Sequence, residues 1–216
     1  MDKDYIKNIE GAERRFAANG MKVEKRAADG ENESFVVQGY AAIFNSPTQI
    51  GSWFREVILP GAFDDVLGQD VRCLFNHDPS LILGRTESGT LEIGVDTKGL
   101  WYRYTTPDRT YAKDLADAID KGDVSQSSFA FRAKETVWRE IQDELDLREI
   151  VKVETLYDVS PVTYPAYNDA TVGKRAFDDR QAEKQREIDE NAGIRTTDKG
   201  LTSFEAQVII NKNRCL

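Results

Sequence analysis

Between residues 34 and 160 the chain breaks into short runs in which apolar and polar residues alternate, or β-branched and aromatic residues cluster. These runs are Ser34–Phe44, Arg55–Leu59, Val71–Asn76, Gly89–Asp96, Gly99–Thr106, Ser127–Ala133 and Arg148–Ser160. Side chains alternate across a strand with a period of two, so each run predicts a strand with one face on a core. Asp96 to Gly99, lying between two of them, predicts a hairpin turn. One interior helix stands out between Asp108 and Gly122: Tyr111, Leu115, Ala118 and Ile119 share a face, and Gly122 stands where a C-terminal cap belongs. Gly61–Leu67, after Pro60, predicts a shorter helix. Many strands with few helices point to an antiparallel α+β barrel or sandwich, not a doubly wound sheet.

The same region, residues 34–175, holds all six prolines and all three tryptophans, and defines the expected domain. It is flanked by a charged N-terminal segment, residues 1–33, and a charged tail, residues 176–216. Helices are expected at Tyr5–Ala18, Ala176–Asn191 and Phe204–Asn211, with Ala28–Ser34 as a loop. Of the net charge of −9, the middle carries −7 and each flank −1. A pI near 4.8 argues against a nucleic-acid partner, which needs a basic surface to displace counterions. No apolar run approaches the roughly 18–20 residues of a membrane span, and the N-terminus lacks the apolar stretch of a signal peptide. Cys73 and Cys215 lie far apart and predict a reduced chain. The single histidine, His77, excludes a His-rich zinc site, and two cysteines cannot complete an all-cysteine one. A metal-dependent hydrolase built on His77 and scattered aspartates lacks a convergent ligand set. No cofactor site is expected.

Three segments carry residues suited to chemistry. His77, in Asn76–Pro79, follows the apolar run Val71–Phe75 and is expected at a strand end, where an imidazole is held firmly yet can face a cleft. It is equally the kind of histidine that merely bonds a nearby carbonyl. Ser125, Ser127 and Ser128 fall between a helix-ending glycine and an aromatic strand, with Ser128 and Ala130 on one face and Phe129 and Phe131 on the other. Serine clusters are ordinarily polar loops. Asp158 lies in an apolar and β-branched run, Leu156–Tyr167, where a carboxylate must be paired, hydrogen-bonded or exposed. Together the segments offer a base, a nucleophile and an orienting acid, provided that they converge in space.

These segments also make the chain recognisable. Gly39–Asn45, Glu56–Leu67, Phe75–Arg85, Gly89–Arg103, Ala118–Phe131 and Leu156–Tyr167 occur in the order found in the prohead proteases of tailed bacteriophages, which the chain resembles over about residues 36–175. The resemblance includes the HK97-type enzymes and implies a fold similar to the herpesvirus assemblins, a mostly antiparallel β-barrel surrounded by short helices. It implies a serine peptidase with His77 as base, Ser128 as nucleophile (Ser127 standing one position away) and Asp158 as third member. Ala130 replaces the usual glycine. Glu154 and Glu149 lie on the same stretch as Asp158, and a Ser–His dyad is the other option. Arg132 and Arg85 are candidate helpers. The implied role is maturation of the capsid inside the prohead, in the host cytoplasm, with scaffold or major capsid protein as substrates. Self-cleavage of the charged flanks and self-association also follow from the resemblance, and the starting Met with both tails favours an unprocessed precursor. The competing expectation is a non-catalytic, protease-like scaffold or assembly chaperone.

Overall fold

The structure, a computed structural model, describes residues 12–17, 21–26, 34–164 and 173–190. Its elements are β1 (Glu13–Ala17), β2 (Lys22–Arg26), β3 (Ser34–Ile43), β4 (Thr48–Ile50), β5 (Phe54–Ile58), β6 (Arg72–Phe75), β7 (Asp78–Arg85), β8 (Leu91–Val95), β9 (Gly99–Thr105), α1 (Thr110–Asp120), β10 (Gln126–Arg139) and β11 (Leu147–Val162). A helix over residues 173–190, α2, falls in a second compact unit that starts at Lys174. The loop expected at Ala28–Ser34, the helix expected at Phe204–Asn211 and Cys215 lie, wholly or largely, outside the described residues.

The architecture is α+β and mostly strand. One sheet runs β1-β10-β11-β5-β4, with β6 and β7 joined to it through β11, and the other runs β2-β3-β9-β8. Among the described residues neither sheet is closed into a barrel by strand pairing. Most neighbours are antiparallel, but β11 pairs in parallel with β5 near its start and with β6 near its end. Its 16 residues therefore serve two partners along one edge. No helix among the described residues is long and apolar enough to cross a membrane.

Aromatic residues organise the core. Phe129 stacks on Phe131 with ring centroids 4.9 Å apart, and Phe63 meets Phe129 edge-on at 5.6 Å. Phe63 comes from the segment expected as a short helix, which forms only a 3₁₀ turn at Asp64–Val66. Helix α1 buries Ala112, Leu115, Ala116 and Ile119, and Gly122 ends it at φ 84°. That left-handed conformation suits glycine and explains the cap.

The β10–β11 register sets which residues share a face. Ser128 opposes Ser160 and Ala130 opposes Asp158, but Phe131 opposes Leu156. Tyr157 is the extra residue of a β-bulge. Without it, Leu156 and Asp158 would share a face by the period-two rule. The bulge lets Leu156 join the apolar core while Asp158 stands on the opposite face beside Ser128 and Ser160.

Residues 13–17 form strand β1 where a helix over Tyr5–Ala18 was expected. Tertiary contacts override the local preference, because β1 completes the edge of β10 and carries two charges into a buried quartet. The Arg15 guanidinium donates to Glu56 through Nε and Nη2 at 2.5 and 2.9 Å and to Glu13 at 2.6 Å. Arg148 donates to both Glu13 oxygens at 2.6 and 2.9 Å and to Glu56 at 2.8 Å. All four residues are less than a tenth exposed. Two cations and two anions thus neutralise each other, which limits the desolvation cost and fixes the register of β1.

Burial alone would raise the Glu13 carboxyl, but Arg15 and Arg148 outweigh it and hold the group below its ordinary value of 4.5. A depressed carboxyl stabilises the fold above its unfolded-state value and loses that contribution as pH falls through the folded one. Hydrogen-exchange protection of the β1 amides is therefore expected to be higher in wild type than in Glu13→Gln at neutral pH. The gap should close as pH drops below about 4.5. A gap independent of pH would contradict the assignment.

Candidate active site

His77 sits in the tight turn between β6 and β7. Asn76 and His77 have φ of 54° and 57°, and Phe75 pairs with Asp78, so the loop is a two-residue hairpin with both central residues left-handed. Asparagine and histidine enter this region more often than other side chains do, yet each non-glycine residue held there costs roughly 1–3 kcal/mol. Asn76 anchors the turn to the end of β11. Its N–H donates to the Pro161 carbonyl at 3.0 Å, its Oδ1 accepts the Thr163 N–H at 2.9 Å, and its Nδ2 reaches Thr163 Oγ1 at 3.2 Å. The turn thereby lays the imidazole over the polar face of β10 and β11. His77 is at a hairpin tip and 6 % exposed, not at the open end of a strand.

Both ring nitrogens are engaged. Nδ1 lies 2.6 Å from Asp158 Oδ1, and Nε2 lies 2.6 Å from Ser128 Oγ. An ionised carboxylate can only accept, so Nδ1 carries the proton and Nε2 is left to accept from the serine hydroxyl. Ser160 Oγ donates to the same Asp158 oxygen at 2.6 Å. Ser128, Ser160 and Asp158 are each 0 % exposed. The arrangement can take a proton from a hydroxyl and stabilise the imidazolium that results.

The other candidates point elsewhere. Ser127 faces away from Ser128 and shares a 2.8 Å hydrogen bond with the Tyr102 hydroxyl in the core. Glu149 accepts from Arg139 at 2.6 Å, and Glu154 lies 3.7 Å from Arg132. Arg85 is held by Asp70 at 2.7 Å through two nitrogens. Cys73, opposite Val159, is a buried free thiol pushed well up by burial and by the nearby Asp158 charge. Among the described residues no three His, Cys, Asp or Glu side chains converge as metal ligands.

Sequence reasoning missed two contributors. Ser160 was legible as an i+2 neighbour of Asp158 on one strand face, although nothing marked it as a partner. The second is the Arg15 backbone carbonyl, which accepts from Ser128 Oγ at 2.9 Å and belongs to the segment expected as a helix. A backbone atom leaves no trace in side-chain patterning.

The model of one protein family, described as caudovirus prohead serine protease, matches residues 21–185, about three quarters of the chain. The chain belongs to this prohead protease family. The matched span contains His77, Ser128 and Asp158 but not β1. Among solved structures, the capsid assembly protease gp21 of bacteriophage T4 is similar at 11 % identity with a TM-score of 0.37, over 71 % of this chain and 99 % of that one. No curated protein matches the chain.

Ser127→Ala removes a buried hydrogen bond and is expected to cost about 1 kcal/mol in denaturant unfolding. A fluorophosphonate should modify Ser128 in wild type and in this variant alike, as mapped by mass spectrometry. Modification at Ser127 would transfer the nucleophile assignment to it.

Proposed function

We propose that the chain is a serine endopeptidase of capsid maturation that cleaves scaffold or major-capsid-protein segments, and its own flanks, inside the prohead in the host cytoplasm. One observation carries this reading: the only imidazole in the chain is held between a serine hydroxyl and a buried carboxylate at 2.6 Å on each side. A purely structural role gives no reason for a buried polar group of this kind on a sheet face, where apolar side chains would avoid the desolvation cost.

In this mechanism Ser128 Oγ attacks the scissile carbonyl as its proton passes to His77 Nε2. The imidazolium is stabilised by Asp158, whose Oδ1 also accepts a hydrogen bond from Ser160. His77 then returns the proton to the leaving amine, and water repeats the sequence on the acyl-enzyme. Asn76 acts as a positioning residue by fixing the strained turn that presents His77.

Co-expression with the cognate capsid and scaffold proteins, read by mass spectrometry, tests the proposal. Ser128→Ala and His77→Ala should abolish processing, and Asp158→Asn should slow it by roughly 10⁴-fold by offering the imidazole the wrong partner. Asn76→Ala should slow it roughly tenfold to a hundredfold while leaving the core folded. Processing that survives Ser128→Ala would overturn the reading.

A further inference from the structure

The hairpin that carries His77 and the strand that carries Asp158 share little backbone pairing. β6 meets β11 only at Arg72 with Asp158 and Cys73 with Val159. So short a ladder specifies its register weakly. Yet a slip of one residue would draw the imidazole away from the carboxylate, now 2.6 Å from its Nδ1. At the tip of the hairpin, Asn76 ties the turn to Pro161 and Thr163. The base is tied as well, by a side chain outside the catalytic set.

That side chain is Gln69, three residues before β6. Its Nε2 donates to the Glu154 carbonyl at 2.8 Å, and its Oε1 accepts the Leu156 N–H at 3.0 Å. A neutral side-chain amide offers a donor and an acceptor together, as a peptide unit does. Here it stands in for a strand along the edge of β11, between the stretches that pair with β5 and with β6.

The place it grips is where the β10–β11 ladder is irregular. Ala130 opposes Asp158, Phe131 opposes Leu156, Arg132 opposes Thr155 and Ala133 opposes Val153, so Tyr157 and Glu154 are both extra residues on β11. Gln69 holds the carbonyl of one extra residue and the N–H of the residue before the other. A bulge displaced by one position would turn Asp158 away from Ser128, because side chains alternate along a strand. Gln69 is itself held by its backbone. Its N–H donates to the Val66 carbonyl at 3.0 Å, and its carbonyl accepts from Thr86 Oγ1 at 2.8 Å. Thr86 Oγ1 also accepts the Val71 N–H at 2.9 Å, and the neighbouring Arg85 is paired with Asp70. The amide therefore projects from a braced hairpin base.

We propose that Gln69 is a positioning residue for Ser128, His77 and Asp158. Its amide pins the bulges of β11 and the register of the β6–β7 hairpin on that strand, and so brings Asp158 to His77 Nδ1. It acts through the backbone of β11. That the three side chains cleave peptides rests on the protease reading; the placing of Asp158 against His77 does not.

The test compares Gln69→Ala and Gln69→Glu in the full chain labelled with ¹⁵N-histidine. Ionised glutamate keeps the length and an acceptor for the Leu156 N–H, but sets an oxygen against the Glu154 carbonyl, so one bond is lost without loss of the side chain. Ile119→Val, a small loss of packing in α1, is the control, since α1 does not pair with β11. In both Gln69 variants the His77 Nδ1–H should exchange with water at least about tenfold faster than in wild type, the size of effect one lost hydrogen bond gives. Ile119→Val should leave that exchange unchanged. Should circular dichroism show Gln69→Ala unfolded, Gln69→Glu decides alone. Wild-type exchange in the folded Gln69 variants, equal acceleration in Ile119→Val, or unfolding of both Gln69 variants would overturn the proposal, the last two by making Gln69 a general stabiliser.

A second arm, co-expression with the cognate capsid and scaffold proteins, separates the two readings. Processing should slow roughly tenfold to a hundredfold in the Gln69 variants and stay near wild type in Ile119→Val. Full-rate processing in the Gln69 variants would overturn the proposal. If wild type processes nothing while the Nδ1–H responds to Gln69, the protease reading fails and the positioning of Asp158 stands.

Discussion

The register between β10 and β11 is the constraint on which the rest of the molecule depends. It sets Ser128 against Ser160 and Ala130 against Asp158, and the bulge at Tyr157 restores the apolar face immediately beyond. One side of the strand pair feeds Phe129, Phe131, Leu156 and Val159 into the core. The other side is a small polar field with space for an imidazole. A slip of one residue would exchange the two faces, putting phenylalanine under His77 and hydroxyls into the core. Stability and chemistry are therefore specified by one set of backbone pairings, and core packing holds the site in register.

Two further constraints act on that face. The Asn76–His77 turn brings the imidazole from a separate hairpin in a left-handed conformation, held by hydrogen bonds between Asn76 and Pro161 and Thr163. Strain of this sort persists where surrounding contacts over-determine it. From the other edge, β1 supplies a carbonyl to Ser128 and is fixed by ion pairs to Glu56 and Arg148. Breaking a buried pair by removing one partner is strongly destabilising, because it leaves an uncompensated charge.

The strands of the central region were legible because alternation survives in them, as was α1, whose apolar face and terminal glycine agree. The three residues that meet at the site were legible as chemistry-bearing types, and the resemblance to phage prohead proteases selected among them. Their convergence was not legible: a period-two reading places Leu156 and Asp158 on one face, and only the bulge at Tyr157 separates them. The His77 turn was hidden because Asn-His is not a usual two-residue hairpin sequence, although Asn-Gly in that place would have announced one. β1 was misjudged for a different reason. Its charges read as a solvated helix face, and the partners that bury them, Glu56 and Arg148, lie 41 and 135 residues away from Arg15 and Glu13.

The single histidine offers a direct examination of the central claim, that one imidazole links Ser128 to Asp158. In protein labelled with ¹⁵N-histidine every imidazole signal belongs to His77. With the ring neutral, the account predicts the proton on Nδ1, a strongly deshielded Nδ1–H that slows in exchange with water, and an Nε2 shift that responds to Ser128→Ala. A neutral ring protonated at Nε2, or one that averages between tautomers and is indifferent to Asp158→Asn, would contradict it.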